Sequence, residues 1–195
     1  MPLKPATDSR KKIHTRDIRC EAFQREDGLW DIEGHMTDVK SYSFANRDRG
    51  GEIKAGEPLH GMWLRITVDE SYLIHAAEAV TDYSPFNVCP EIASNYAKLV
   101  GLKIAAGWRK EVHLRVGGVE GCTHLSDLLA PMATTAMQAM NSGSRKDKKD
   151  KKPVEDPSIK AAKQAKIINR CYALSESGEV AKEFFPENYK PAKEE

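Results

Sequence analysis

Apolar and polar residues alternate through Asp17-Ile18-Arg19-Cys20-Glu21-Ala22-Phe23 and again through Leu29-Trp30-Asp31-Ile32-Glu33-Gly34-His35-Met36. Between the two runs stands Glu26-Asp27-Gly28, and an Asp-Gly step flanked by period-two segments predicts a β-hairpin. Residues 40 to 59 lose the period, are rich in Arg, Gly and Asp, and read as a long loop. Alternation resumes at Met62-Trp63-Leu64-Arg65-Ile66-Thr67-Val68. Asp69-Glu70-Ser71 then turns the chain into a strand over Tyr72 to Val80, a second hairpin.

From Pro90 the period lengthens. Ile92, Tyr96 and Leu99-Val100 fall at helical spacing, Pro90 suits a first turn and Gly101 suits the position just past the end, which leaves Cys89 near the N-cap. Val112 to Val116 reads as a short strand. Gly117, Gly118 and Gly121 lead into a helix through Leu125, Leu128-Leu129, Met132, Ala136 and Met140, which Pro131 is expected to kink or split. Ile159, Ala162, Ile167-Ile168, Cys171 and Leu174 predict a C-terminal helix. Trp30, Trp63 and Trp108 lie in patterned segments and are expected in the core. The fold class is therefore α+β, an antiparallel sheet of two hairpins with helices on one face. A single domain spans residues 1–140, a charged linker residues 141–157, and a C-terminal helix and tail residues 158–195.

Composition sharpens this picture at four points. A chain of 195 residues with 40% apolar content supports one full core. The net charge of +1, from 30 basic and 29 acidic side chains, supplies no global field toward nucleic acid or a membrane surface, and binding to either is not expected. The run Arg145-Lys146-Asp147-Lys148-Lys149-Asp150-Lys151-Lys152-Pro153 cannot bury itself and reads as a flexible linker. There is no apolar run of about 18 residues and no hydrophobic signal core near Met1, so the expected location is the cytoplasm.

The four cysteines, Cys20, Cys89, Cys122 and Cys171, are then better read as thiols than as a disulfide framework. Cys20 and Cys171, inside amphipathic segments, are expected as packed core residues. Cys122-Thr-His124 places a thiol and an imidazole two residues apart in a Gly-flanked turn, a spacing that lets both converge on one ion before a helix begins. Cys89 also precedes a predicted helix, where free amides favour an anionic sulfur. His60, at the entrance to the strand that starts at Met62, is the fourth candidate ligand. His35, His75 and His113 are expected as ordinary sheet residues.

The segments His14-Thr-Arg16, Asp27-Gly28-Leu-Trp30, Leu59-His60-Gly-Met62 and Gly121-Cys122-Thr-His124-Leu125 resemble a bacterial family called domain of unknown function 2889, over roughly residues 10 to 140 and again around Cys171. A fainter likeness joins Met62 to Asp69 and the helix headed by Cys89 to the NifU and IscU type of iron-sulfur scaffold. In that family a ligand precedes the first strand, a cysteine heads the next helix, and a His-Cys pair opens a later one. The likeness implies a NifU-like core with His60, Cys89, Cys122 and His124 as ligands. The sequence departs from that pattern in having His60 for a cysteine and Cys-Thr-His for His-Cys, which favours zinc or a tightly held iron centre over a cluster that is handed on.

The expected function is a metal or iron-sulfur binding accessory protein, with a transition metal (zinc or iron) or an iron-sulfur cluster as cofactor and a protein partner or small-molecule substrate. The alternative is an enzyme acting on a small molecule. It would use either a metal with an open position or Cys89 as nucleophile with His124 as base, while Asp38 or Glu91 would be available as acid or base. Catalytic residues are not selected by any spacing in the chain. The Gly117 to Gly121 stretch lacks the lysine and hydroxyl context of a phosphate loop, so nucleotide binding is not expected.

Overall fold

The computed structural model describes residues 3–4, 6–143 and 167–192. Residues 144–166, which contain the whole charged run and the start of the expected C-terminal helix, lie outside the described residues. The chain divides into two compact units, Met1–Ser144 and Arg145–Glu195.

The first unit is α+β. Strands β1 (His14–Gln24), β2 (Trp30–Lys40), β5 (Pro58–Val68) and β6 (Ile74–Tyr83) form one antiparallel sheet in the order β1-β2-β5-β6. The two hairpins thus join edge to edge through β2 and β5. The first turns at Gly28, whose φ of 85° is open to glycine at no steric cost. Residues 40 to 59, expected as a loop, hold a second small sheet of β3 (Phe44–Asn46) and β4 (Gly51–Ile53) around a single 3-10 turn. Asn46 caps that turn by accepting from the Arg49 amide, and Gly50 and Gly51 take positive φ.

Alternation fixes which face of the large sheet is covered. Trp30, Ile32 and Met36 of β2 and Met62, Leu64, Ile66 and Val68 of β5 are buried, and their intervening neighbours face outward. Cross-strand registers Ile32↔Ile66 and Met36↔Met62 put the two sets side by side. Helix α2 (Thr123–Gly143) lies on that face, in contact with β1, β2 and β5. Leu125, Leu128, Leu129, Met132, Ala136 and Met140 form its buried stripe, at the spacing of a single helix face. It approaches so closely at Gly34 that a Cβ there would meet the Met132 sulfur at 2.7 Å.

Three local expectations are corrected. The helix is not split at Pro131 but continues through it. Proline costs about 3 kcal/mol in a helix interior, whereas burying Leu128, Leu129 and Met132 contributes roughly 1.5–3 kcal/mol each, so packing wins. The segment read as a strand at Val112 belongs to helix α1 (Trp108–Val116), because Trp108, Val112 and Val116 recur every four residues and bury together. His113 is consequently a helix residue. The segment Cys89–Leu99 is helical but of the 3-10 type; it packs on β6 and buries Tyr96 and Leu99.

Trp30 and Trp108 are core residues, but Trp63 is 41% exposed on the outer face, where its ring stacks on His35 at 3.8 Å. In the second unit the described residues form 3-10 turns at Tyr172–Leu174 and Pro186–Asn188 and a short helix α3 (Glu179–Phe184), with Ala181 buried. Cys171, expected in a core, is exposed.

Candidate metal centre

At one end of the large sheet the apolar alternation of three strands gives way to polar residues in a single cross-strand row. On β2 the buried series Trp30, Ile32, Gly34, Met36 continues to Asp38, which is 1% exposed. Register places Arg16 of β1 on one side of it and His60 of β5 on the other. His14 precedes Arg16 by two residues and shares its face. A β-bulge between Asp38 and Val39 ends the regular pairing at this point, as bulges commonly do where a side chain is re-aimed.

Burying a carboxylate is costly unless it is paired and hydrogen-bonded, and Asp38 is paired on both oxygens. Arg16 grips it bidentately, Nε donating to Oδ1 and Nη2 to Oδ2, both at 2.8 Å. His14 Nε2 lies 2.9 Å from Oδ1 and His60 Nδ1 3.0 Å from Oδ2. Burial by itself pushes the Asp38 carboxyl up. The bonds from Arg16, His14 and His60 and the Arg16 charge together outweigh it and hold the group well below the usual carboxylate range.

Helix α2 brings the remaining side chains. His124, in its first turn, sets Nε2 at 3.7 Å from Asp38 Oδ2, and its ring faces that of His60 with centroids 3.7 Å apart and a tilt of 30°. Burial lowers the pKa of both imidazoles. A positive charge would be further opposed at His60 by His124 and at His124 by Arg16, so against the pull of Asp38 the fold favours the neutral form of both rings. One turn further on, Asp127 accepts from Arg16 Nη1 at 2.9 Å. Arg16 therefore bridges a buried and a half-exposed carboxylate.

Cys122 immediately precedes α2, and its carbonyl accepts the helix's first bond, from the Ser126 amide. The buried Tyr96 phenol fixes this residue from the 3-10 segment. It accepts from the Cys122 amide at 3.1 Å and lies 2.8 Å from both the Cys122 carbonyl and Ser126 Oγ. The sulfur stands 3.9 Å from His124 Nδ1 and 3.9 Å from the Met62 sulfur. On its other side Cys122 borders a cleft of about 440 Å³ between α1 and α2, lined also by Trp108, His113 and Asp127.

Of the four ligands expected from sequence, the fold brings His60 and His124 together. The group among the described residues whose ligand atoms all fall within 4.8 Å of one another is Asp38, His60 and His124. Cys122 touches this group through His124 without belonging to it. Cys89 heads the 3-10 segment, its amide bonded to the Phe86 carbonyl, and no hydrogen bond or ion pair among the described residues links it to Asp38, His60 or His124. The converging set contains no thiolate, so it offers nothing to hold an iron-sulfur cluster. Sequence reasoning passed over Arg16, His14 and the central role of Asp38. The signal was a charged residue standing in phase with the buried positions of β2.

No curated protein and no solved structure matches the chain significantly, and the NifU and IscU likeness gains no support. A family model described as "Protein of unknown function (DUF2889)" matches residues 14–138. This span starts at the first histidine of the cluster and ends within α2, so it covers the whole site. The chain belongs to that family.

Proposed function

Taking that membership as the starting point, we propose that the chain binds one divalent first-row transition metal through Asp38, His60 and His124. The observation that carries this reading is the geometry about Asp38 Oδ2, with imidazole nitrogens at 3.0 and 3.7 Å. Ligand atoms placed about 2.1 Å from a common ion stand roughly 3 to 3.5 Å apart, close to these separations. The protonation states agree as well, since a metal requires an ionised carboxylate and neutral imidazoles. The two rings must open slightly from their stack for both lone pairs to meet one ion.

One carboxylate and two imidazoles suit zinc or iron(II), and three protein ligands leave coordination positions free for water or substrate. That favours metal-assisted chemistry on a small molecule over a purely structural site. Within the same reading Cys122, and not Cys89, is the thiol beside a histidine.

The test is titration of the purified, chelator-treated full chain with Co(II), followed by visible absorption, and with Zn(II), followed by calorimetry. A single site with d–d bands is expected. His60→Ala and His124→Ala each remove a ligand and are expected to weaken it by at least about a hundredfold, since loss of a mere outer partner already costs about ten- to a hundredfold. Absence of a Co(II) spectrum, or binding indifferent to both substitutions, rejects the reading.

A further inference from the structure

The Asp38 carboxylate has room for about four hydrogen-bond donors on its two oxygens, and four occupy it: two from Arg16, one from His14 and one from His60. A cation bonded to Oδ2 must therefore displace a donor. His60 Nδ1 stops donating to that oxygen once its lone pair turns to the ion, and His14 is on the other oxygen, so what remains against the cation on Oδ2 is Arg16. Arg16 Nη2 is the donor on Oδ2 that carries a permanent charge, so it is also the one a divalent ion repels most strongly.

Arg16 has a second partner already in place. Its Nη1 donates to Asp127 Oδ2 at 2.9 Å, and Asp127 is 46% exposed on α2, one turn beyond His124. The Arg16 side chain is itself 35% exposed, so its guanidinium can swing outward without losing every partner. Building on the metal reading above, we propose that Arg16 is a displaceable counter-ion. It holds the Asp38 carboxylate until a divalent cation takes that place, and Asp127 then receives it. Arg16 thereby sets the affinity of the site. Because Asp127 also lines the α1/α2 cleft, arrival of the metal delivers a whole guanidinium to the cleft mouth, where an anionic group of a substrate would meet it.

Co(II) and Zn(II) affinities of the full chain, wild type against Arg16→Gln and Asp127→Asn, test this. Arg16→Gln removes the competing charge and is expected to tighten binding about tenfold or more. Asp127→Asn leaves Arg16 only Asp38 to hold and is expected to weaken binding about threefold. Arg16→Lys, which keeps the charge but not the two-pronged grip, is expected to fall between wild type and Arg16→Gln.

If wild type binds Co(II) and Arg16→Gln binds no more tightly, the displacement is refuted while the metal site stands. If Arg16→Gln tightens binding and Asp127→Asn leaves it unchanged, transfer to Asp127 is refuted. If Arg16→Gln does not fold, Asp127→Asn decides: equal or tighter binding overturns the proposal. If neither wild type nor Arg16→Gln gives a Co(II) spectrum, the metal reading itself fails and the proposal with it.

Discussion

Replacing Asp38 by Asn preserves the shape of the most buried charged side chain in the cluster and removes its charge. Asn keeps one acceptor oxygen, so two of the four donors around Asp38 retain a weaker, neutral acceptor. The other two face an NH2 group and lose theirs. Hydrogen bonds to a charged acceptor contribute about 1.5–3 kcal/mol each. Part of the loss is offset, because the buried charge no longer has to be desolvated and Arg16 keeps Asp127. The net effect is expected near 3 kcal/mol, the lower part of the range for breaking a buried ion pair.

Urea unfolding at pH 7 measures this, with Asp127→Asn as a surface control expected to cost under about 1 kcal/mol. The pH dependence has a defined sign. The folded-state pKa of Asp38 lies below its ordinary value of 3.8, so its contribution is complete above that value and is lost as pH falls toward the folded pKa. The gap between wild type and Asp38→Asn is thus constant above about pH 5 and narrows by about 1 kcal/mol by pH 3. Equal stability of the two proteins at pH 7, or a gap that widens in acid, would refute the assignment of Asp38 as a buried, paired anion.

Two further predictions concern the imidazoles and the phenol. His60 and His124 are both lowered from 6.5 in the fold, so without added metal they favour folding above that pH and lose stability as it falls. Between pH 7.5 and 5.5 the combined loss is at most about 3 kcal/mol, and it should shrink in the His60→Gln, His124→Gln double variant. A slope equal in both proteins contradicts the buried, neutral state of the rings. Tyr96→Phe leaves the Cys122 amide without its acceptor and should cost about 2 kcal/mol in chemical denaturation. A cost below about 0.5 kcal/mol means the phenol does not secure the start of α2.

The sheet was legible because alternation and an Asp-Gly turn are local signals, and both hairpins appear where the pattern puts them. Helix α1 was misread because a window over Val112 to Val116 contains too little to separate the two periods, whereas one starting at Trp108 shows a four-residue recurrence. The β3/β4 pair escaped notice because its strands are three residues each and its turn is built by Asn46, Gly50 and Gly51 instead of by any hydrophobic pattern. The site was half legible. His60 and His124 stand at element entrances, which can be seen along the chain. That Asp38 lies between Arg16 and His60 follows from strand register, which no spacing within one strand reveals. Thiols attracted attention as soft ligands, but the ligand atoms that converge among the described residues belong to a carboxylate and two imidazoles.

Four residues of the cluster, His14, Arg16, Asp38 and His60, come from neighbouring strands and are aligned once the sheet is paired. His124 and Asp127 come from α2. The cluster is therefore complete only when the helix has docked, and anything that binds across Asp38, His60 and His124 acts as a clasp between the two layers. Its binding free energy adds directly to the free energy of holding α2 down. Occupancy and the integrity of the domain then become two views of one equilibrium.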